Sequence, residues 1–187
     1  MFGVRIQGRG GQGVVTAAEL LSVAAFAEGR HAQAIPSFGS ERTGAPVTAF
    51  CRVDTRPIRT HDPIATPDCV IVQDPTLLPH VDVLAGLRPG GFVLVNWVGP
   101  VDQLGLEPRP NTVTVAATDL ALRHIGRPVP NAALLGGFAA LTRQVRLASV
   151  LTAIRQRFPA PLAAANVAAA QAAYDLVRAE CEERQDA

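Results

Sequence analysis

The sequence predicts an α/β fold built on a mostly parallel sheet that is flanked by helices. Three observations support this prediction. An apolar strand pattern near the amino terminus runs through a glycine-rich turn into a helical pattern, two later runs of β-branched residues suit strands covered on both faces, and the chain beyond Asp119 is mostly helical in pattern. Because strands and helices alternate, we expect a Rossmann-like sheet with an inserted antiparallel hairpin and a helical C-terminal part.

The first unit of the chain reads as strand, turn and helix. Residues 4–7 form the apolar strand, residues 8–13 the turn, and residues 14 to about 28 the helix, because small and apolar residues recur there at helical spacing. Gly29 is a typical helix stop. Residues 31–35 are short and apolar, which predicts a second strand.

A polar loop and a hairpin are expected next. Pro36 begins the loop, which extends to Pro46. Residues 47–53 alternate like a half-buried strand, residues 54–57 suit a turn, and residues 58–59 are expected to return antiparallel to that strand.

The rest of the chain alternates between buried strands and helices. Residues 69–73 predict a central strand that Asp74 terminates, and Asn131 is placed to cap a helix whose paired glycines, Gly136 and Gly137, require close contact with another backbone. The further expected elements are a partial helix within 77–87, a strand at 90–96, an irregular stretch at 98–110, a strand at 112–116, and helices at 119–125, 132–141, 147–158 and 161–183.

Composition excludes several classes of function. The chain has 187 residues, 48% of them hydrophobic, which suffices for one sizeable core, so we expect a single domain over residues 1–187. A net charge of +1 with scattered arginines argues against nucleic-acid binding, and no apolar run approaches the roughly 20 residues of a membrane helix. We therefore expect a cytoplasmic protein that binds neither nucleic acid nor membrane.

The cysteines and histidines do not predict a metal site. The three cysteines are too far apart for a C-x-x-C pair, and Cys51 and Cys69 each lie in an apolar strand-like run, which predicts burial in the core. The four histidines are dispersed along the chain without a helical H-x-x-x-H pair. We expect no metal ion and no iron–sulfur cluster in this chain.

The glycine-rich turn is the most informative motif of the chain. Gly8, Gly10 and Gly13 fit G-x-G-x-x-G, which alone is a weak signal for a nucleotide. A dinucleotide site would need an acidic residue closing the second strand, which has none, and a triphosphate loop would need a lysine, whereas all 17 Lys and Arg residues are arginine. The turn then either accepts an anion at the helix start or packs closely against its neighbours.

Polar residues that follow strands form three candidate constellations, which we expect to lie near the carboxyl ends of a parallel sheet. They are Arg9 and Gln12 in the turn, Ser37, Glu41 and Arg42 in the polar loop, and Gln73 and Asp74 with Asn96. Simpler interpretations remain open: Glu41 and Arg42 as a solvated surface pair, and Asp74 as a helix cap alone. No nucleophile lies in a recognisable elbow or beside a predicted base, so no catalytic residue is predicted.

Several longer motifs, taken in order, resemble the gamma subunits of 2-oxoacid:ferredoxin oxidoreductases. RIQGRGGQGVVTAAELL at residues 5–21 is similar to the start of that family, and SFGSERTGAPV at 37–47 resembles its second signature loop. Residues 68–76 and 131–138 resemble its central strand and a later helix. The resemblance spans nearly the whole chain, which corresponds to the gamma subunit (domain III), and is greatest to the subunit of the pyruvate enzyme.

The resemblance implies a subunit of a complex that decarboxylates a 2-oxoacid on thiamine diphosphate and transfers the acyl group to coenzyme A. It places thiamine diphosphate, Mg²⁺ and [4Fe-4S] clusters in partner alpha, beta and delta subunits, and names ferredoxin, or an NAD-linked flavin subunit, as electron acceptor. The residues it implies at the coenzyme A approach are Gly8, Arg9, Gly10, Gly11, Gln12, Gly13, Ser37, Glu41 and Arg42. Pyruvate is the leading oxoacid, ahead of 2-oxoglutarate, branched-chain and aryl oxoacids.

Two alternatives remain at the level of the sequence. The chain could be a stand-alone nucleotide-binding or regulatory domain that uses the glycine turn on a diffusible ligand. It could also be a structural spacer that only closes a complex.

Overall fold

The computed structural model describes residues 1–36, 44–107 and 109–185. The regular elements in chain order are β1 (Phe2–Arg9), α1 (Val14–Ala27), β2 (His31–Pro36), β3 (Pro46–Asp54), β4 (Cys69–Val72), β5 (Phe92–Asn96), β6 (Thr112–Val115), α2 (Ala117–Ile125), α3 (Asn131–Thr142), α4 (Leu147–Arg157) and α5 (Ala160–Gln185). Short 3₁₀ turns follow β4 at Pro75–Leu77 and β5 at Val101–Leu104.

The six strands form one mixed sheet in the order β2-β3-β1-β4-β5-β6. The pairs β1–β4, β4–β5 and β5–β6 are parallel, whereas β3 runs antiparallel to both β1 and β2. The α/β fold with a mostly parallel sheet is thus confirmed.

The antiparallel hairpin exists, but its predicted second strand is wrong. The pair is β2 with β3, in a register that places His31 opposite Asp54 and Pro36 opposite Ala49. Residues 58–59 lie outside any strand. Because β1 and β2 occupy both edges of β3, no edge remains for a return strand, and Pro57 cannot donate a ladder hydrogen bond.

One face of the sheet is covered by helices and the other by irregular segments. On the helical face, residues such as Val4 and Ile6 pack with α1, α3 and α5 in the main core. On the opposite face, Val70, Val93 and neighbouring strand residues pack against side chains from the stretches that follow β4 and β5. The central strands are therefore buried on both faces, as predicted.

The expected partial helix within residues 77–87 is wrong. Beyond the 3₁₀ turn at Pro75–Leu77, this stretch consists of turns. The carbonyl oxygens of Val83 and Ala85 accept hydrogen bonds from Arg5 Nη2 at 2.9 and 2.6 Å, and Val83 also accepts from Gln7 Nε2 at 3.2 Å. The stretch forms isolated turns, such as that closed by the Val81 N–H to the Leu77 carbonyl oxygen, and its carbonyl groups also satisfy polar side chains of β1.

The helices α3 and α5 approach each other very closely. A Cβ atom placed on Gly136 would lie 2.9 Å from the Cα of Ala170 and still closer to its carbonyl group. The predicted backbone contact at the paired glycines is confirmed there. The predicted cap at Asn131 is wrong, because the N-cap of α3 is Pro130 and no side chain caps the helix start. Asn131 is instead the first residue of α3, and its Oδ1 accepts the N–H of Ala132 at 2.8 Å. None of the helices within the described ranges is long and apolar enough to cross a membrane.

The cysteines of the strands are buried, as predicted. Cys51 and Cys69 are inaccessible to solvent in the core. Burial raises the pKa of the Cys51 thiol to about 12, and burial with the charge of Asp68 nearby also raises the pKa of Cys69. Both side chains therefore remain protonated thiols at neutral pH.

Candidate functional site

The polar residues that follow the strands meet along one side of the sheet, where the parallel strands end. The parallel strands β1, β4, β5 and β6 point their carboxyl ends to this edge, and the glycine turn follows β1 there. The usual ligand crevice of open α/β sheets lies at this position. We call this region the carboxyl edge.

The glycines of the turn adopt unusual backbone angles and let neighbouring side chains pack closely against the backbone. Gly11 and Gly13 have φ angles of +94° and +75°, which favour glycine, and Gly13 is the N-cap of α1. A Cβ atom on Gly8 would lie 2.8 Å from Cγ2 of Val14 and 2.9 Å from Oε1 of Gln12. The turn is therefore closely packed, which was one of the two interpretations that the sequence left open.

The side chain of Gln12 folds back onto the turn. Its Oε1 accepts the backbone N–H of Arg9 at 2.7 Å, and its Nε2 donates to Oδ2 of Asp74 at 2.8 Å. One amide thus satisfies a turn N–H and connects the turn to the end of β4. Gln12 therefore stabilises the carboxyl edge by hydrogen bonds within the chain.

Arg9 connects the glycine turn to the strand end after β4 and to Gly44. Its Nε donates to Oγ1 of Thr76 at 3.0 Å and lies 3.3 Å from Oδ2 of Asp74, and its Nη1 donates to the carbonyl oxygen of Gly44 at 3.1 Å. The N–H of Gly10 also donates to the carbonyl oxygen of Ala45 at 2.9 Å. The turn therefore contacts both the strand end after β4 and the last part of the predicted polar loop.

Asp74 is the acceptor at the centre of this network. Its Oδ1 accepts both the backbone N–H and the hydroxyl of Thr76, at 2.9 and 2.6 Å. Burial alone would raise the pKa of this carboxyl, but the hydrogen bonds from Thr76 and Gln12 and the charge of Arg9 outweigh it and lower the pKa. Asp74 caps the 3₁₀ turn, as one interpretation predicted, and also pairs with Arg9 and Gln12.

The lowered pKa of Asp74 predicts an acid-dependent loss of stability. Because the folded pKa lies below that of an unfolded aspartate, the stabilisation is fully present above the unfolded pKa and is lost as the pH falls through the folded pKa. Urea unfolding between about pH 6 and pH 2 should show Asp74→Asn less stable than the wild type at the upper end, with the difference shrinking on acidification. Asp102→Asn, at an exposed carboxylate, is the control, and a difference that stays constant with pH would contradict the assignment.

A second polar cluster connects β4, β5 and α2. Asn96 is 8% exposed; its Nδ2 donates to the carbonyl oxygen of Gln73 at 2.8 Å, and its Oδ1 accepts the N–H of Thr118 at 3.0 Å. These residues line a cleft of about 360 Å³ together with Gln12, Asp74, Trp97 and Asp119. The predicted association of Gln73 and Asp74 with Asn96 is thus observed.

Ser37, Glu41 and Arg42 lie outside the described residues. The sequence did not single out Thr76 as a site residue, although the D-P-T sequence at the end of β4 is a capping pattern that places its hydroxyl beside Asp74. In the described part of the chain, no group of three or more His, Cys, Asp or Glu side chains is placed to hold a metal ion.

Comparisons with known proteins agree along nearly the whole chain. Residues 3–176 match the family "Pyruvate ferredoxin/flavodoxin oxidoreductase". The chain is 47% identical over 178 residues to the "Pyruvate/ketoisovalerate oxidoreductases common subunit gamma" of Thermococcus kodakarensis, covering 94% of this chain and 96% of that protein. It is 49% identical over 177 residues to the "Pyruvate synthase subunit PorC" of Methanosarcina barkeri, covering 95% and 97%.

A solved structure shows the same fold. The pyruvate oxidoreductase subunit PORC of Thermotoga maritima superposes with a TM-score of 0.79 at 35% identity, covering 93% of this chain and 95% of that one. The similarity therefore extends over nearly the whole length of both chains.

Proposed function

This chain belongs to the pyruvate ferredoxin/flavodoxin oxidoreductase family, as the gamma subunit of a multi-subunit 2-oxoacid:ferredoxin oxidoreductase, and we propose that it completes an active centre held by its partner subunits. Residues 1–187 act as one domain of that complex in the cytoplasm. The complex oxidatively decarboxylates a 2-oxoacid and delivers the acyl group to coenzyme A. Membership of this family argues against a stand-alone nucleotide-binding domain.

The substrate we propose is pyruvate, with a branched-chain oxoacid as the second choice. The relatives carry the names pyruvate synthase subunit and common subunit of pyruvate and ketoisovalerate oxidoreductases. Ferredoxin, or an NAD-linked flavin subunit, accepts the electrons.

The cofactors belong to the alpha, beta and delta partners in this proposal. An iron–sulfur cluster needs several thiolates, and Cys51 and Cys69 are separately buried in the core with raised pKa values, which disfavours ligation. Bound in the partners, thiamine diphosphate with Mg²⁺ supplies the decarboxylation chemistry and the clusters remove electrons. The residues of this chain would contribute shape and charge at the approach to that centre.

The observation that carries the proposal is the Arg9 network at the carboxyl edge. Thr76, Asp74 and Gly44 hold the guanidinium in place while its side chain keeps 29% of its surface exposed. We propose that the turn from Gly8 to Gly13 and the segment with Ser37, Glu41 and Arg42 face the catalytic subunits. Arg9 and Arg42 would there bind phosphate groups of coenzyme A, which arginine recognises well.

Replacing both Arg9 and Arg42 with alanine tests this role in the purified complex. Each charge-assisted hydrogen bond contributes about 1.5–3 kcal/mol, so the apparent KM for coenzyme A should rise by about tenfold or more while bound thiamine diphosphate stays unchanged. Arg123→Ala, at an exposed arginine of α2, is the matched control. An unchanged KM in a fully assembled complex would refute the phosphate role, and altered assembly with unchanged coenzyme A kinetics would identify a spacer.

A further inference from the structure

Two buried arginines lie side by side on the face of the sheet that carries no helices. Arg5 of β1 and Arg52 of β3 are only 9% and 6% exposed, and they are diagonal neighbours, because Arg52 is paired with Gly3 in the antiparallel register. Burial lowers the pKa of Arg5, and the charge of Asp82 does not fully offset this effect. Because arginine is rarely buried to this extent unless its charge is paired, the two guanidinium groups indicate a place for a negative charge.

The hydrogen bonds of these two arginines go to uncharged acceptors. Nη2 of Arg5 donates to two carbonyl oxygens in the stretch 83–85. Arg52 donates to Oε1 of Gln33 at 3.3 Å and to the carbonyl oxygen of Asp62. Within the described ranges, no carboxylate lies at ion-pair distance from either guanidinium. The positive charge on this face of the sheet is therefore not neutralised by direct contacts among those residues.

Arg52 lies in the wall of a cavity of about 310 Å³. We call it the amino-edge cavity, because Gly3 and Asp68, at the start of β1 and just before β4, line it. The hydrogen bond from Arg52 to the carbonyl oxygen of Asp62, another residue of the wall, fixes the direction of the buried guanidinium. Arg88 also lines the cavity, with Nη1 at 3.2 Å from Oδ1 of Asp68 and 55% of its side chain exposed. The wall therefore contains one buried and one accessible guanidinium.

The wall of the amino-edge cavity offers an occupant mainly hydrogen-bond donors. A guanidinium has five N–H donors, and the contacts of Arg52 with Gln33 and Asp62 use two of them. The hydroxyl of Thr66 is a further donor in the wall. Of the two lining carboxylates, Asp68 is engaged by its ion pair and by a backbone N–H at 2.7 Å, and Asp62 is exposed to solvent. The wall thus favours an occupant that supplies acceptors and negative charge.

We infer that the amino-edge cavity binds the phosphate or carboxylate group of a small molecule, held by Arg52 and Arg88. The planar guanidinium matches the oxygen atoms of both groups, and the volume lies at the lower end of the range for small-molecule sites. The carboxyl edge is at the other end of the strands, since β1 extends about 20 Å from Gly3 to Arg9 at about 3.3 Å per residue. The inference therefore does not rest on the role proposed for the glycine turn.

Titration calorimetry of inorganic phosphate and of succinate into the purified complex, at low ionic strength, tests the site. We expect one of the two anions to bind about tenfold or more weakly to Arg88→Gln than to the wild type. Asp62→Asn should bind it more tightly, because this change removes a repelling charge and keeps the carbonyl oxygen that accepts from Arg52. Arg56→Gln, at an exposed arginine outside the cavity wall, is the matched control and should bind like the wild type. Anion sites in the partner subunits are common to all variants and cancel in the comparison.

Two results would overturn the inference: equal binding of both anions by the wild type and Arg88→Gln, or weaker binding by Asp62→Asn. Arg52→Gln should abolish the binding, but it also removes hydrogen bonds that hold two segments of the chain. Should that variant fail to assemble, Arg88→Gln and Asp62→Asn decide. Tighter binding of phosphate than of succinate would assign a phosphorylated ligand, and the reverse order a carboxylate.

Discussion

Replacing Gly136 with alanine is expected to lower the free energy of unfolding by about 3 kcal/mol or more, because the added methyl group would meet backbone atoms. The nearest atoms are the carbonyl oxygen, carbonyl carbon and Cα of Ala170 in α5, and backbone atoms cannot move aside as a flexible side chain can. Relief would require separating α3 from α5, and these two helices form a large part of the main core.

Gly137→Ala is the matched control for this prediction. Its added Cβ would meet only side-chain atoms, with Cγ2 of Val177 at 3.2 Å and Cδ2 of Leu94 at 3.3 Å, which can shift by a few tenths of an ångström. Urea unfolding of both variants should show a large loss at Gly136 and a much smaller change at Gly137. Equal losses would show that the helix contact is looser than described.

Leaving this subunit out of the complex is expected to lower coenzyme A-dependent turnover of the oxoacid by about a hundredfold or more. The physical reason is positioning. If Arg9 and its neighbours shape the approach to the catalytic centre, the partner subunits alone retain the cofactors but lose the surface that orients coenzyme A. Thiamine diphosphate should therefore stay bound while acyl transfer becomes slow.

Local sequence signals predicted much of the fold. The run at residues 69–73 became β4, covered on both faces, because its residues are apolar on either side of the strand. The glycine pair in α3 correctly indicated a close backbone contact, since two helix-weakening residues in a buried helix require a packing reason. These features depend on residues that are near one another in the chain.

The errors arose where distant residues decide the structure. Residues 58–59 have no strand because β1 and β2 occupy both edges of β3, a pairing that depends on residues far away in the sequence. The stretch 77–87 forms turns whose carbonyl oxygens accept hydrogen bonds from Arg5 and Gln7 of β1, residues far away in the sequence. Pro57 and Pro79 are local signals against a strand and a helix in these stretches, but the contacts that replace those elements depend on distant residues.

The glycine turn also combines a feature that local sequence predicts with one that distant residues decide. Its strand–turn–helix form was predicted from the motif, but whether it binds an anion or packs closely depends on Gln12, whose amide reaches Asp74 across 62 positions of the chain. The hydrogen bond from Arg9 Nε to Oγ1 of Thr76 was not predicted for the same reason, whereas the bond from Thr76 to Asp74 follows from the local D-P-T pattern. The pair of buried arginines on β1 and β3 is likewise visible only once the strands are assembled.

The most direct test of the central claim is a reconstitution in which this chain is titrated into complexes of the other subunits. Oxoacid turnover should be nearly absent at the start, rise in proportion to added chain and level off at one chain per active centre. Full turnover before any is added would contradict the claim that this subunit completes the active centre.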